Sequence, residues 1–225
     1  MAPSPSLLII AHRGASALRP EHTLAAYEKA IDDGADFIEP DLVMTRDGVL
    51  ITRHENAIGG TTDVATRPEF ADRRATRAID GETTTDWFSD DFSLAEIRTL
   101  RARERLPMMR GTAFDGHFEV PTFEQVIALV ERKSREYKRS IGLIPEIKHS
   151  SYHHTRGLDP EQTLVDALQR HAYTRQASIG IQSFEVGNLQ RLRSLLGDRA
   201  NVFLVQLIGA PDQRPVDRIN AADTY

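Results

Sequence analysis

Glu39 and Asp41, in the stretch FIEPDLV, are two residues apart in an apolar run. That spacing puts two carboxylates on the same face of a strand. Side by side at a buried strand end they repel, so they need a cation or one must keep its proton. Oxygen-only ligands of this kind suit Ca²⁺ or Mg²⁺. A solvent-facing strand would carry the same pair without either, but Phe37, Ile38, Leu42 and Val43 argue for burial here. Glu146 and Lys148 repeat the spacing at the end of IGLIPEIK. They read either as a third carboxylate ligand with a fixed ammonium for an anion, or as a salt-bridged strand end. His12, at the end of SLLIIAHRG and followed by Arg13 and Gly14, and His54, just after a hairpin, are the candidates for proton transfer. Histidine titrates nearest neutral pH, and either ring alone could equally be structural. His149, His153 and His154 read as part of a polar loop rather than a zinc cluster, since the ligand candidates at strand ends are carboxylates. The Arg/Glu run over residues 98–105 reads as a solvated helix face.

The elements that must position these groups alternate. Residues 7–11 carry four aliphatics in a row and predict a strand buried on both faces. Residues 21–34 have Leu24, Tyr27, Ala30 and Ile31 at helical spacing, with Gly34 as a C-cap. Residues 35–43 and 49–53 predict strands joined through Asp47-Gly48, a strong hairpin signal. With Asp47 and Gly48 as the two central turn residues, Asp41 falls opposite His54. Residues 55–119 are polar, rich in Thr, Arg and Asp, and read as an inserted subdomain. Thr122 and Gln125 form a capping-box pattern ahead of a helix lined by Phe123, Val126, Ile127 and Val130. Strands over 141–147, 177–182 and 201–207 then alternate with helices over 160–171 and 185–196.

Buried V/I/L-rich strands alternating with helices indicate a parallel sheet, and both a doubly wound sheet and a (β/α)8 barrel fit. Gly14-Ala15-Ser16 lacks the G-x-G-x-x-G pattern of a dinucleotide fold. Polar residues instead gather where several strands end, the barrel habit. The expectation is an α/β, (β/α)8 TIM-type barrel with about five of eight βα units in the chain and a small insertion after the second strand. Residues 1–225 then form one barrel domain that lacks its last three strands.

Composition narrows the class. The chain has 225 residues, 40% hydrophobic and 27% charged, as in a soluble globular protein. A net charge of −5 gives no push towards nucleic acid or a membrane surface. The absence of cysteine excludes disulfides, thiolate metal sites and a cysteine nucleophile. No stretch approaches the ~20 apolar residues of a membrane span. Residues 1–6 are too short and polar for a secretory leader, so the chain as it stands reads as cytoplasmic, or as exported with a leader elsewhere.

HRGAS, RPEHT, the E-x-D pair, RHE after the hairpin, TTDVA, PEIKHSSYHH, IQSF and VQLI together resemble the glycerophosphodiester phosphodiesterases, and their periplasmic-type branch in particular. The likeness runs over nearly the whole chain. It implies a (β/α)8 barrel that hydrolyses glycerophosphodiesters to an alcohol and sn-glycerol 3-phosphate. It places a divalent cation, calcium ahead of magnesium, on Glu39, Asp41 and Glu146. It makes His12 and His54 the acid–base pair and Arg13 and Lys148 the phosphate grip. It further implies attack by the glycerol 2-hydroxyl through a cyclic phosphate and an insertion covering the glycerol end. Gly14, after His12 and Arg13, reads as letting the backbone turn and leaving room for substrate. The family often has Asp where this chain has Glu55, a conservative change expected to lie outside the inner ring of the site. A phospholipase-D-type barrel acting on lysolipids or sphingolipids is the neighbouring alternative, and a non-catalytic fragment is the alternative of a different class.

Overall fold

The computed structural model describes residues 7–210 and 214–217. Residues 1–6 and most of the polar stretch 212–225 lie outside the described residues. Chain order is β1 (Ile10–His12), α1 (Leu24–Asp32), β2 (Phe37–Glu39), β3 (Asp41–Met44) and β4 (Leu50–Thr52). The inserted stretch follows with β5 (Ala75–Ile79), β6 (Glu82–Asp86), α2 (Leu94–Ile97) and α3 (Pro107–Arg110). Then come α4 (Phe123–Tyr137), β7 (Gly142–Leu143), β8 (Glu146–Ile147), α5 (Ser150–Thr155), α6 (Pro160–Arg170), β9 (Ile179–Ser183), α7 (Val186–Leu196) and β10 (Val202–Gln206).

Two prolines break strands that read as continuous. Proline lacks the N–H that a sheet ladder needs, so Pro40 separates β2 from β3 and Pro145 separates β7 from β8. Their carbonyls remain in use: Glu146 N–H donates to Pro40 O and Gln182 N–H to Pro145 O, both at 2.9 Å. With the halves rejoined, parallel pairing runs in chain order from β1 through β2/β3, β7/β8 and β9 to β10. These are the strands of five βα units of a (β/α)8-type barrel. Helices α1, α4, α6 and α7 lay their apolar faces on them, through residues such as Tyr27, Ile31, Val126, Val130, Leu164 and Leu192.

The expectation of a first strand buried on both faces fails. Leu7 is 94% exposed and Ile10 50%, because β1 pairs with β2 alone among the described residues. The hairpin also differs from the two-residue count. Thr45 N–H donates to Val49 O at 2.9 Å, which leaves three loop residues, Arg46, Asp47 and Gly48. Gly48 takes φ +78°, the left-handed residue such loops require. The register therefore pairs Leu42 with Thr52, Arg53 N–H donates to Asp41 O at 3.1 Å, and His54 falls one residue beyond the pairing.

Residues 55–119 carry the β5–β6 hairpin, three short 3-10 turns and two short helices. Val64, Phe70, Phe92, Ile97 and Leu100 gather there against Val43 and Ile51 of the β3–β4 hairpin. Residues 98–105 are not a helix face: α2 ends at Ile97, and the chain beyond it is irregular apart from a bridge between Ala102 and Thr62. The predicted polar loop at 149–154 is helical from Ser150 onward, with His149 as its left-handed N-cap. In α5 His153 is fully buried and takes the Met44 N–H and the Asn56 side-chain amide on Nε2. The capping box at Thr122 and Gln125 forms as the pattern predicts and opens α4. No described helix is long and apolar enough to cross a membrane.

Candidate active site

The strand ends bring the acidic residues to one level of the sheet. His12 stands opposite Glu39 across β1 and β2, Asp41 opposite Glu146 across β3 and β8, and Glu146 opposite Gln182 across β8 and β9. One ligand atom from each of Glu39, Asp41 and Glu146 lies within 4.8 Å of the others, and all three side chains are buried. Lys148 Nζ sits 2.7 Å from Glu146, 4.0 Å from Asp41 and 3.3 Å from His54 Nε2. Arg13 Nε lies 3.4 Å from Asp41 and 3.3 Å from His12 Nε2. All seven residues singled out in the sequence thus fall in one connected cluster.

Backbone strain helps to place them. Arg13 has φ +62° and His22 φ +57°, a region that costs a side-chain-bearing residue energy and needs surrounding contacts to hold it. Arg13 N–H donates to both the carbonyl and the carboxylate of Glu39, at 3.0 and 2.9 Å. His22 N–H donates to Arg13 O at 3.2 Å. Gly14, at φ +81°, has no room for a Cβ, which would sit 2.7 Å from the Ala26 backbone. Its lack of a side chain therefore makes space for α1 rather than for substrate.

The charge balance is what a cation site requires. Burial, followed by the Asp41 charge, pushes Glu39 well above the ordinary carboxylate range. Burial raises Glu146 as well, against the pull of Lys148. Burial works against Asp41 too, but the hydrogen bond and charge of His22 overcome it and hold Asp41 ionised. Asp41 Oδ1 is buried with no hydrogen-bond partner, a costly state for a carboxylate oxygen. Three buried carboxylates with one oxygen left over fit a hard divalent cation. His12 stands partly exposed at the rim, where burial and the Arg13 charge lower its pKa.

Several residues of the cluster carry no assigned role in the sequence, although Gln182 stands there among the polar residues at strand ends. His22 is fully buried and bridges Asp41 Oδ2 at 2.9 Å and the Tyr27 hydroxyl at 2.7 Å. It fixes one oxygen of Asp41 and leaves the other to the site, as the outer partners of metal ligands do. Gln182 donates to Glu39 Oε1 at 2.8 Å. Glu21 is buried and lies 2.7 Å from Arg105 and 3.5 Å from Arg13. Glu55 lies 2.5 Å from His54 and 2.6 Å from Arg105. RPEHT and RHE were visible as motifs, but which of their residues face the site depends on the fold. Arg105 had no local signal at all, being one of many arginines in an irregular run.

Comparison with known proteins gives the family and the fold. A model of the glycerophosphoryl diester phosphodiesterase family matches residues 12–224. A glycerophosphodiester phosphodiesterase of Arabidopsis thaliana is 35% identical over 209 residues, 87% of this chain and 55% of the relative. The glycerophosphodiester phosphodiesterase of Haemophilus influenzae is 31% identical over 218 residues, 91% of this chain and 57% of the relative. The chain thus spans little more than half the length of these relatives. Among solved structures, an Oleispira antarctica phosphodiesterase in complex with the product sn-glycerol-3-phosphate shares the fold. It superposes with TM-score 0.64 at 19% identity, over 92% of this chain and 68% of that one.

Proposed function

The chain belongs to the glycerophosphoryl diester phosphodiesterase family, and from that premise we propose that it hydrolyses glycerophosphodiesters to an alcohol and sn-glycerol 3-phosphate by metal-dependent, two-histidine catalysis. The observation that carries this reading is the buried triad Glu39, Asp41 and Glu146 with its unpartnered Asp41 Oδ1, flanked by two cations and two imidazoles. A phosphodiester anion repels nucleophiles, so the site must neutralise it before anything can attack. A divalent cation on the triad would supply Lewis-acid charge to the phosphate, and an all-carboxylate set suits calcium better than magnesium, which keeps more of its water.

Arg13 and Lys148 add fixed positive charge on either side of Asp41. They orient the phosphate and stabilise the charge that grows on its oxygens. The Nε2 atoms of His12 and His54 face Arg13 and Lys148, so both rings present a lone pair towards the site. One takes the proton of the attacking hydroxyl, and the other, once protonated, gives a proton to the departing alkoxide. The product bound by the Oleispira neighbour is the one this reaction releases. The inserted residues 55–119 reach the cluster through Arg105, which lies against Glu21 and Glu55, and we assign them the cover over the glycerol end.

The test follows release of sn-glycerol 3-phosphate from glycerophosphocholine, with calcium and after EDTA. Activity that survives chelation removes the metal from this reading. His12→Ala and His54→Ala should each lower kcat by ~10²- to 10⁴-fold, as loss of a general acid or base does. Turnover like that of the unmodified chain in either variant ends the acid–base assignment.

A further inference from the structure

The two ring nitrogens of His54 have partners that can act in only one direction. Nε2 faces the Lys148 ammonium at 3.3 Å, and an ammonium has hydrogens to give and no lone pair. Nε2 must therefore accept. Nδ1 faces Glu55 Oε1 at 2.5 Å. Burial pushes Glu55 up, but hydrogen bonds from His54 and Arg105 outweigh it and hold the carboxyl down at about 2. An ionised carboxylate only accepts, so Nδ1 must donate. Both contacts select the same form, with the proton on Nδ1 and the lone pair on Nε2.

Glu55 is itself clamped. Arg105 Nη1 donates to Oε1 at 2.7 Å and Nη2 to Oε2 at 2.6 Å, the planar fork that fits a carboxylate. The same guanidinium holds Glu21, with Nε 2.9 Å from both of its oxygens. Glu21 follows β1 and is buried, so Arg105 ties the inserted stretch to the barrel loop and to the residue behind His54 at once.

We propose that Glu55 and Arg105 are positioning residues for catalysis: the inserted stretch, through Arg105 and Glu55, locks His54 as its Nδ1–H tautomer with Nε2 aimed at Lys148 and the carboxylate triad. The hydrogen bond at one ring nitrogen decides what the other can do. Without Glu55 the ring loses the contact that holds it against Lys148; once it turns off the ammonium its proton can sit on either nitrogen, and the lone pair leaves the reacting position. The catalytic half of this inference rests on the acid–base reading of His54. The tautomer half does not.

The experiment reads the imidazole nitrogens directly. In ¹⁵N-labelled protein at neutral pH, with the His54 signals assigned by their loss in His54→Gln, the unmodified chain should show a protonated Nδ1 and an unprotonated Nε2. Glu55→Ala should shift His54 to the Nε2–H form or to a mixture. Glu55→Asp, which keeps an acceptor, should restore part of the original pattern. Arg105→Gln should loosen the tautomer from one step further out, and it serves if the Glu55→Ala chain does not fold. In kinetics with glycerophosphocholine, Glu55→Ala should cost ~10- to 100-fold in kcat, as lost orientation of a functional histidine does. KM should stay within about threefold, since ground-state binding is not what is lost. Calcium titration should be unchanged. An Nε2–H form in the unmodified chain, or an Nδ1–H form that persists in Glu55→Ala and Arg105→Gln, overturns the proposal. A chain that shows the expected spectra but hydrolyses nothing overturns the function and leaves the tautomer lock in place.

Discussion

Two acidic clusters in this molecule are built on opposite principles. Where the inserted stretch meets α5, every charge is answered. Asp90 accepts from Arg77 at 2.9 Å, from Arg156 at 2.8 Å and from the Tyr152 hydroxyl at 3.0 Å. Asp91 takes the other prong of Arg77 at 2.6 Å. At the strand ends, three carboxylates crowd together and Asp41 Oδ1 is left without a donor. Residue types alone would not separate the two. A paired cluster fastens one part of the fold to another, whereas an unbalanced one holds free energy that a cation and a phosphate can release on binding.

The sharpest way to break this contrast is to remove one charge from each cluster at constant shape. Asp41→Asn should abolish calcium uptake in a calorimetric titration and lower glycerophosphocholine turnover by at least ~10²-fold, more than loss of an outer partner of a metal ligand costs. The fold should survive, because a carboxylate that was crowded by its neighbours has gone. Asp90→Asn should do the reverse. Calcium uptake stays as it was, while urea unfolding shows a loss of ~3 kcal/mol, the scale for taking one partner out of a buried charged network. If Asp90→Asn loosens calcium binding as much as Asp41→Asn, the two clusters are not separate devices.

How much of this could be read from the sequence depends on how local each cause is. Glu39, Asp41, Glu146, Lys148, His12 and Arg13 were legible because each stands at or next to the end of an apolar run, and strand period alone sets their face. His54 was found, but by a register that was off by one. The hairpin has three loop residues instead of two, so Arg53 pairs with Asp41 and His54 reaches the site from beyond the strand. The exposed run at Leu7 and Ile10 failed for a different reason. Burial depends on a neighbouring strand, and an apolar run says nothing about whether one pairs on its far side. Arg105 and Glu21 are 84 residues apart, so no window of sequence joins them. His153 was misplaced because a helix of six residues, Ser150–Thr155, has too few turns to show periodicity.

His153 and His54 carry the contrast down to single rings and to the smallest expected effect. His54 lies in reach of solvent with a donor on one side and an acceptor on the other. His153 is sealed from solvent, and burial first, then the charges of His149 and His154, lowers its pKa from 6.5 to about 3. The native state therefore refuses a proton that the unfolded chain accepts between those values. Between pH 6.5 and 3 the unfolded state binds more protons, so stability rises with pH there and is lost on acidification below 6.5. The contribution is complete above 6.5 and amounts to ~1.4 kcal/mol of loss at one unit below it. His22, also buried with a lowered pKa, adds a slope of the same sign, so the unmodified chain alone cannot isolate the effect. His153→Gln can. The Gln carbonyl can accept from Met44 N–H and Asn56 as Nε2 does, but it does not titrate. Urea unfolding at pH 7.5 and 5.5 should show a smaller acid loss in His153→Gln, by ~1.4 kcal/mol. Parallel losses in the two chains would mean that His153 already takes its proton in the native state, and that the inserted side of the molecule tolerates an unbalanced charge as the strand ends do.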